Sequence, residues 1–137
     1  MLSPKKQKYR KAHKGRVRNI TKRGNNISFG YLALKSLDSE RLNARQIEAA
    51  RRAAVRHMKR EGKFWIRIFP DIPVTKKPTE VRMGKGKGNV ELYICRISSG
   101  RILFEVDGVS RDLGVEALRL AGEKLPIRTK IVSLYGT

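Results

Sequence analysis

The chain has 137 residues, 39% of them hydrophobic, which suits one folded domain with a modest core rather than several domains or a disordered chain. Lys and Arg number 32 against 12 Asp and Glu, a formal charge of +20, far beyond the magnitude of roughly 2 to 8 that keeps a small domain soluble. The expected partner is therefore a polyanion, nucleic acid before any other. One cysteine excludes an internal disulfide and two histidines leave no cluster with zinc-ligand spacing, while short apolar runs and the missing h-region speak against a membrane span or a secretory leader.

Residues 1–23 form a basic arm carrying Lys5, Lys6, Lys8, Arg10, Lys11, Lys14, Arg16, Arg18, Lys22 and Arg23; the first acidic residue is Asp38. Beyond Leu2, its only large apolar residues are Tyr9, Val17 and Ile20, too little buried surface to offset the entropy of ordering, so the arm is expected to order on a partner. His13 within it reads as a phosphate or stacking neighbour. A transit peptide is the competing reading, opposed by the scarcity of Ser and the lack of an amphipathic period.

Ile27, Phe29, Tyr31, Leu32 and Leu34 predict one or two short strands broken near Gly30. Asn43 followed three residues later by Gln46 is a capping-box variant, opening a helix predicted to run to Glu61 and stop at Gly62. At about 100° per residue, Ile47, Ala50, Ala54 and Met58 gather on a narrow face suited to packing on a sheet. Arg45, Arg52, Arg56 and Lys59 gather opposite, a like-charge stripe that the lone Glu48 is not expected to relieve. A solvated face is the bland account of the stripe; phosphate contact is favoured because Arg outnumbers Lys and guanidinium matches phosphate forks.

Lys63 to Phe69 reads as a strand in which Phe64, Ile66 and Ile68 alternate with Trp65, Arg67 and Phe69; the second set reads as a buried aromatic pair or as a base-stacking face with Arg67. Pro70, Pro73 and Pro78 are expected to stop regular structure, leading through Lys76 and Lys77 into an extended loop over 75–89. That loop contains Val-Arg-Met-Gly-Lys-Gly-Lys-Gly-Asn over 81–89, in which Gly84, Gly86 and Gly88 alternate with Lys85 and Lys87 after Arg82 and Met83. Glycine permits positive φ and close backbone approach, so the segment suits pressing cations against phosphate, although a hairpin tip facing water has the same composition. It is not a Walker loop, since each Gly-Lys is followed by glycine and a strand comes next, and Asn89 stands where a dinucleotide fingerprint needs its third glycine.

Val90 to Ile97, a turn at Ser98-Ser99-Gly100 and Ile102 to Val106 read as a hairpin with Val90, Leu92, Ile94, Ile102, Phe104 and Val106 inward. Gly108 marks the exit, and Ser110 caps a second helix whose Leu113, Ala117, Leu120 and Ala121 share a face, ended by Pro126. Ile127 to Leu134 returns as a strand. The predicted class is α+β, two helices packed on a mainly antiparallel sheet, in one domain made of the arm over 1–23 and a body over 24–137.

Catalysis finds no support. Asp38 and Glu40 sit in a basic turn, Ser110 serves as a cap, and neither His13 nor His57 has an acid or nucleophile in motif position. A phosphate-transfer enzyme would need Mg²⁺-binding carboxylates beside the loop, and a free-standing architectural nucleic-acid binder is the other rival reading.

Four segments carry a resemblance: Met-Leu-Ser-Pro-Lys-Lys-Gln-Lys-Tyr-Arg-Lys-Ala-His-Lys-Gly-Arg from Met1, Ala-Arg-Gln-Ile-Glu-Ala-Ala-Arg-Arg from Ala44, Trp-Ile-Arg-Ile-Phe-Pro-Asp from Trp65 and Arg-Met-Gly-Lys-Gly-Lys-Gly from Arg82. In this order they resemble the bacterial-type large-subunit ribosomal protein L-sixteen family nearly end to end, with Leu92 to Cys95 and the tail from Leu134 departing from it. The resemblance implies an α+β protein seated on large-subunit ribosomal RNA beside the aminoacyl-tRNA site, with its glycine-lysine loop reaching toward the peptidyl-transferase region. The RNA-binding set so expected comprises Lys5, Lys6, Lys8, Arg10, Lys11, His13, Lys14, Arg16 and Arg18 of the arm, Arg45, Arg51, Arg52, Arg56 and Lys59 of the helix, and Arg67. Lys76, Lys77, Arg82, Met83, Gly84, Lys85, Gly86, Lys87 and Gly88 are expected to face RNA or tRNA. The implied partners are large-subunit ribosomal RNA, A-site tRNA and neighbouring ribosomal proteins, with no cofactor, metal, membrane or homo-oligomer. Because the resemblance begins at Met1, no presequence is expected, which suits a bacterial cytoplasm or an organelle that encodes the protein itself.

Overall fold

A computed structural model describes residues 2–4, 24–59, 61–75 and 90–134. The elements in chain order are β1 (Leu32–Ser36), β2 (Glu40–Asn43), α1 (Ala44–Met58), β3 (Lys63–Ile66), β4 (Ile72–Thr75), β5 (Val90–Ile97), β6 (Ile102–Asp107), α2 (Arg111–Glu123) and β7 (Thr129–Ser133). Two antiparallel sheets result, one ordered β3-β6-β1-β7 and the other β2-β5-β4. With two helices packed against them the fold is α+β.

Both helix starts follow from local side-chain chemistry. Asn43 Oδ1 accepts from the Gln46 N–H at 2.8 Å while Gln46 Oε1 accepts from the Asn43 N–H at 3.0 Å, a reciprocal capping box; Ser110 Oγ accepts from the Leu113 N–H at 3.3 Å. The ends differ from expectation. α1 stops at Lys59, which takes the left-handed conformation (φ 53) and turns its N–H back to the Arg56 carbonyl, so the chain leaves the helix before Gly62. α2 ends at Glu123 with Lys124 as cap, before Pro126 is reached.

Ala44, Ile47, Ala50, Ala54 and Met58 of α1 are buried, as their period requires. Both helices sit against the sheets as expected: α1 packs on α2 and also touches β2 and β5, while α2 lies over β1, β6 and β7. Leu113 and Leu120 of α2 line the cleft with α1, whereas Gly114 and Gly122 turn toward Leu32 of β1, and Thr129 of β7 and Leu34 of β1, respectively. Leu118 is buried as well, so the apolar arc of α2 is wider than one helix seam. Ala117, Leu118 and Ala121 of α2 join Leu32, Leu34, Leu103, Phe104 and Val106 in one core.

Several strand assignments change. The single strand β1 begins after Gly30, and Ile27 to Gly30 form an irregular segment instead. β2 is an extra strand, centred on the buried Leu42. β3 stops at Ile66, although the Arg67 N–H still bonds the Leu103 carbonyl at 2.9 Å. Pro73 lies inside β4 rather than ending structure, which is possible because β4 is the edge of its sheet and the missing N–H faces away from the ladder. The expected hairpin of β5 with β6 does not form: β5 pairs with β2 and β4, and β6 with β1 and β3. The turn at Gly100 (φ 94) instead passes the chain from one sheet to the other, held by the Gly100 N–H on the Ser36 carbonyl at 2.7 Å. Inner strand β6 is buried from Ile102 to Val106 on both faces, so its residues show no alternation to read.

Candidate nucleic-acid interface

α1 presents its charge on the side opposite its packing face. Arg45, Arg52, Arg56 and Lys59 are exposed; Arg51 is half-buried. Glu48 does more than expected, because its Oε1 receives Arg51 Nη2 at 2.5 Å and Arg52 Nε at 3.3 Å. The hydrogen bond from Arg51 holds the Glu48 carboxyl below its ordinary range despite partial burial, and the same contact raises the Arg51 guanidinium. Arg45, Arg56 and Lys59 have no acidic partner among the described residues. Arg51, Arg52, Val55, Arg56 and Lys59 border a shallow groove along this side.

The placement of Arg45 is informative. It stands in the first turn, which holds no acid, where the partial positive charge of the helix end disfavours a cation. Helix stability does not explain it.

A second cationic surface lies on the outer face of β3. Phe64 and Ile66 point to the core, so Lys63, Trp65 and the following Arg67 take the other side. Arg67 is engaged there: its guanidinium pairs with Glu105 of β6, donates to the Asn26 carbonyl and lies 5.1 Å from the centre of the Phe29 ring. Its charge is spent within the protein, which weakens its expected role as a phosphate ligand. Trp65 stacks on Phe29 with ring centres 5.9 Å apart and planes at 24°, whereas Phe69 stands apart and 44% exposed.

Glu105 is the residue that sequence reading overlooked. Its side chain is fully buried, Oε1 accepts from the N–H groups of Ser28, Phe29 and Gly30 at 3.0, 2.8 and 2.9 Å, and Oε2 takes Arg67. Burial alone raises its pKa, but the Gly30 N–H, the Arg67 guanidinium and the N–H groups of Phe29 and Ser28 outweigh burial and hold the carboxyl low. Gly30 lets the segment come this close, since a Cβ there would fall 2.5 Å from the Val106 carbonyl oxygen. The signal was available: a single acid inside the apolar run Ile-Leu-Phe-Glu-Val of a basic chain.

Other candidates are accounted for. Asp38 is clasped by Arg128 (Nη2 to Oδ1, 2.7 Å), and burial raises the Cys95 thiol, against any reactive role. His57 is half-buried in the cleft between the helices. No group of three metal-ligating side chains occurs among the described residues, and no helix among them is long and apolar enough to cross a membrane. Lys5, Lys6, Lys8, Arg10, Lys11, His13, Lys14, Arg16 and Arg18, and likewise Lys76, Lys77, Arg82, Met83, Gly84, Lys85, Gly86, Lys87 and Gly88, lie outside the described residues.

The sequence matches a family model described as ribosomal protein L16p/L10e over residues 4–132. It is 69% identical over 135 residues to the large ribosomal subunit protein uL16 of Orientia tsutsugamushi (strain Boryong), covering 98% of this chain and 99% of that one. The proteins of the same name from Rickettsia bellii (strain OSU 85-389) and Rickettsia africae (strain ESF-5) are 62% and 60% identical with the same coverage. On a match of this extent, the chain belongs to the ribosomal protein L16p/L10e family.

Proposed function

We propose that the chain is a non-enzymatic structural constituent of the large ribosomal subunit in the bacterial cytoplasm, where it clamps ribosomal RNA. Its bacterial relatives carry the name of large-subunit proteins, and the observation that carries the clamp is the α1 stripe, in which Arg45, Arg56 and Lys59 lack acidic partners among the described residues. Rigid, capped and fixed by its opposite face, this helix offers cations at set spacing, so little ordering entropy opposes phosphate contact. Arg51 and Arg52 exchange Glu48 for phosphate oxygens when RNA arrives.

The arm over 1–23, the body over 24–137 and the extended loop over 75–89 act as one domain in this reading. Arg82, Lys85 and Lys87 reach toward the peptidyl-transferase region and, with Met83 and the alternating glycines, support the A-site tRNA; neighbouring large-subunit proteins complete the seat. The support is the motif resemblance together with the phosphate-seeking composition of the segment.

Two measurements test this. In a sucrose gradient the protein sediments stoichiometrically with large subunits; equal binding to unrelated duplexes with no such sedimentation would mark it as a free-standing architectural binder. Replacing Arg82, Lys85 and Lys87 by Ala slows tRNA accommodation or subunit assembly; normal assembly, accommodation and peptide-bond rates would remove the loop from the account.

A further inference from the structure

Phe29 is a large apolar side chain left 58% exposed, yet the segment bearing it is among the most tightly held irregular stretches of the described chain. Glu105 fixes its own N–H and those of both neighbours, the Gly24 carbonyl accepts from the Ile102 N–H at 2.8 Å, and the Tyr31 N–H bonds the Val106 carbonyl at 3.2 Å. Trp65 and Arg67, two residues apart on the same side of one extended stretch, both support the ring. A phenylalanine serving only the core would be turned inward; here a buried carboxylate and an obligatory glycine hold it outward.

We propose that Phe29 is a stacking platform for an unpaired RNA base, a site distinct from the α1 stripe and resting on the ribosomal RNA-binding reading above. A ring backed by another aromatic and a guanidinium presents a flat, pre-oriented π surface, and stacking on it costs no side-chain ordering. The surroundings select nucleic acid over an apolar protein partner. Exposed Lys63 lies on the same side of β3 as Trp65, as strand alternation requires, and the Arg67 guanidinium, paired with Glu105, lies over the ring 5.1 Å from its centre. Cations interleaved with aromatics bind the phosphates and bases of a single strand together.

The full-length protein is titrated with a short single-stranded oligoadenylate and with an RNA duplex of matched length, in parent, Phe29→Ala, Phe29→Leu and Phe29→Tyr forms. Phe29→Leu keeps an apolar cover over Trp65 but has no π face, so it weakens oligoadenylate binding by roughly 5- to 100-fold, as does Phe29→Ala, while Phe29→Tyr matches the parent. Duplex affinity and melting temperature stay unchanged in Phe29→Leu. Emission of Trp65, the one tryptophan of the chain, shifts on oligoadenylate binding in the parent and not in Phe29→Leu. Oligoadenylate binding by Phe29→Leu as tight as the parent's, which would mark an apolar protein contact, or an equal loss on duplex and single strand, would overturn the proposal. Should Phe29→Ala fail to fold, the Leu and Tyr forms decide alone. Failure of the parent to sediment with large subunits would sink the ribosomal reading, whereas sedimentation with an inert Phe29→Leu change would sink only the stacking site.

Discussion

α1 and α2 lean on each other through small and apolar residues, yet they handle charge on their outer faces in opposite ways. α1 sets Arg45, Arg51, Arg52 and Arg56 against a single Glu48, whereas α2 sets Arg111 and Arg119 against Asp112, Glu116 and Glu123. Arg119 is held between Glu116 and Glu123, one turn to either side, and Asp112 occupies the first turn, where the helix dipole favours an acid. α2 thus holds Arg119 between two acids, although Arg111 in its first turn has no acidic partner among the described residues. In a chain of charge +20, α2 has three acids for its two arginines, whereas α1 has Glu48 alone for its four. Packing explains the inner faces of both helices; it leaves the cations on the outer face of α1 unexplained.

The comparison makes the inner faces equivalent, and overpacking tests that. Ala54→Leu in α1 and Ala117→Leu in α2 each insert bulk into a filled space, costing about 1–3 kcal/mol of folding free energy by urea denaturation. A large loss at Ala117 with none at Ala54 would show that α1 is only loosely applied to the body, and its arginines would lose the rigidity on which the interface account depends.

Smaller effects separate the outer faces. Glu48 and Glu116 are both held below their ordinary value of 4.5, mainly by hydrogen bonds from Arg51 and Arg119 respectively. A depressed carboxylate contributes stability that is present above its unfolded pKa and is lost as pH falls through the folded value, so melting temperature declines as pH is taken below about 4.5, and Glu48→Gln or Glu116→Gln each make that decline shallower. At neutral pH the two variants part company. Glu48→Gln frees Arg51 and Arg52 and tightens binding to ribosomal RNA, while Glu116→Gln leaves binding as it was. Equal tightening by both would mean that net charge, not the α1 face, governs affinity.

Much of this contrast was legible in the sequence, because it is local. The Asn43–Gln46 box, the Ser110 cap and the buried face of α1 depend on residues within a few positions of one another. What failed was non-local. Alternation in β5 identifies a strand but not its sheet, so Val90–Ile97 and Ile102–Asp107 looked like a hairpin although the register joins them to different partners. Pro73 looked like a stop because nothing nearby says that β4 is an edge. Glu105 and Phe29 were not recognised as partners, since their contact spans 76 positions. The α1 stripe is legible in its helical period, but the clasp of Glu48 on both Arg51 and Arg52 depends on side-chain geometry that the period does not carry.

In the proposed function the α1 stripe, and not positive charge at large, grips ribosomal RNA phosphate. That grip is tested most directly by the salt dependence of binding to large-subunit ribosomal RNA for a double Arg52→Ala, Arg56→Ala variant beside Arg119→Ala. The account predicts that the slope of log affinity against log salt becomes shallower by about 2 in the double variant, close to one for each phosphate contact removed, and is unchanged for Arg119→Ala. A slope unchanged in the double variant, or lowered just as much per arginine by Arg119→Ala, would contradict it.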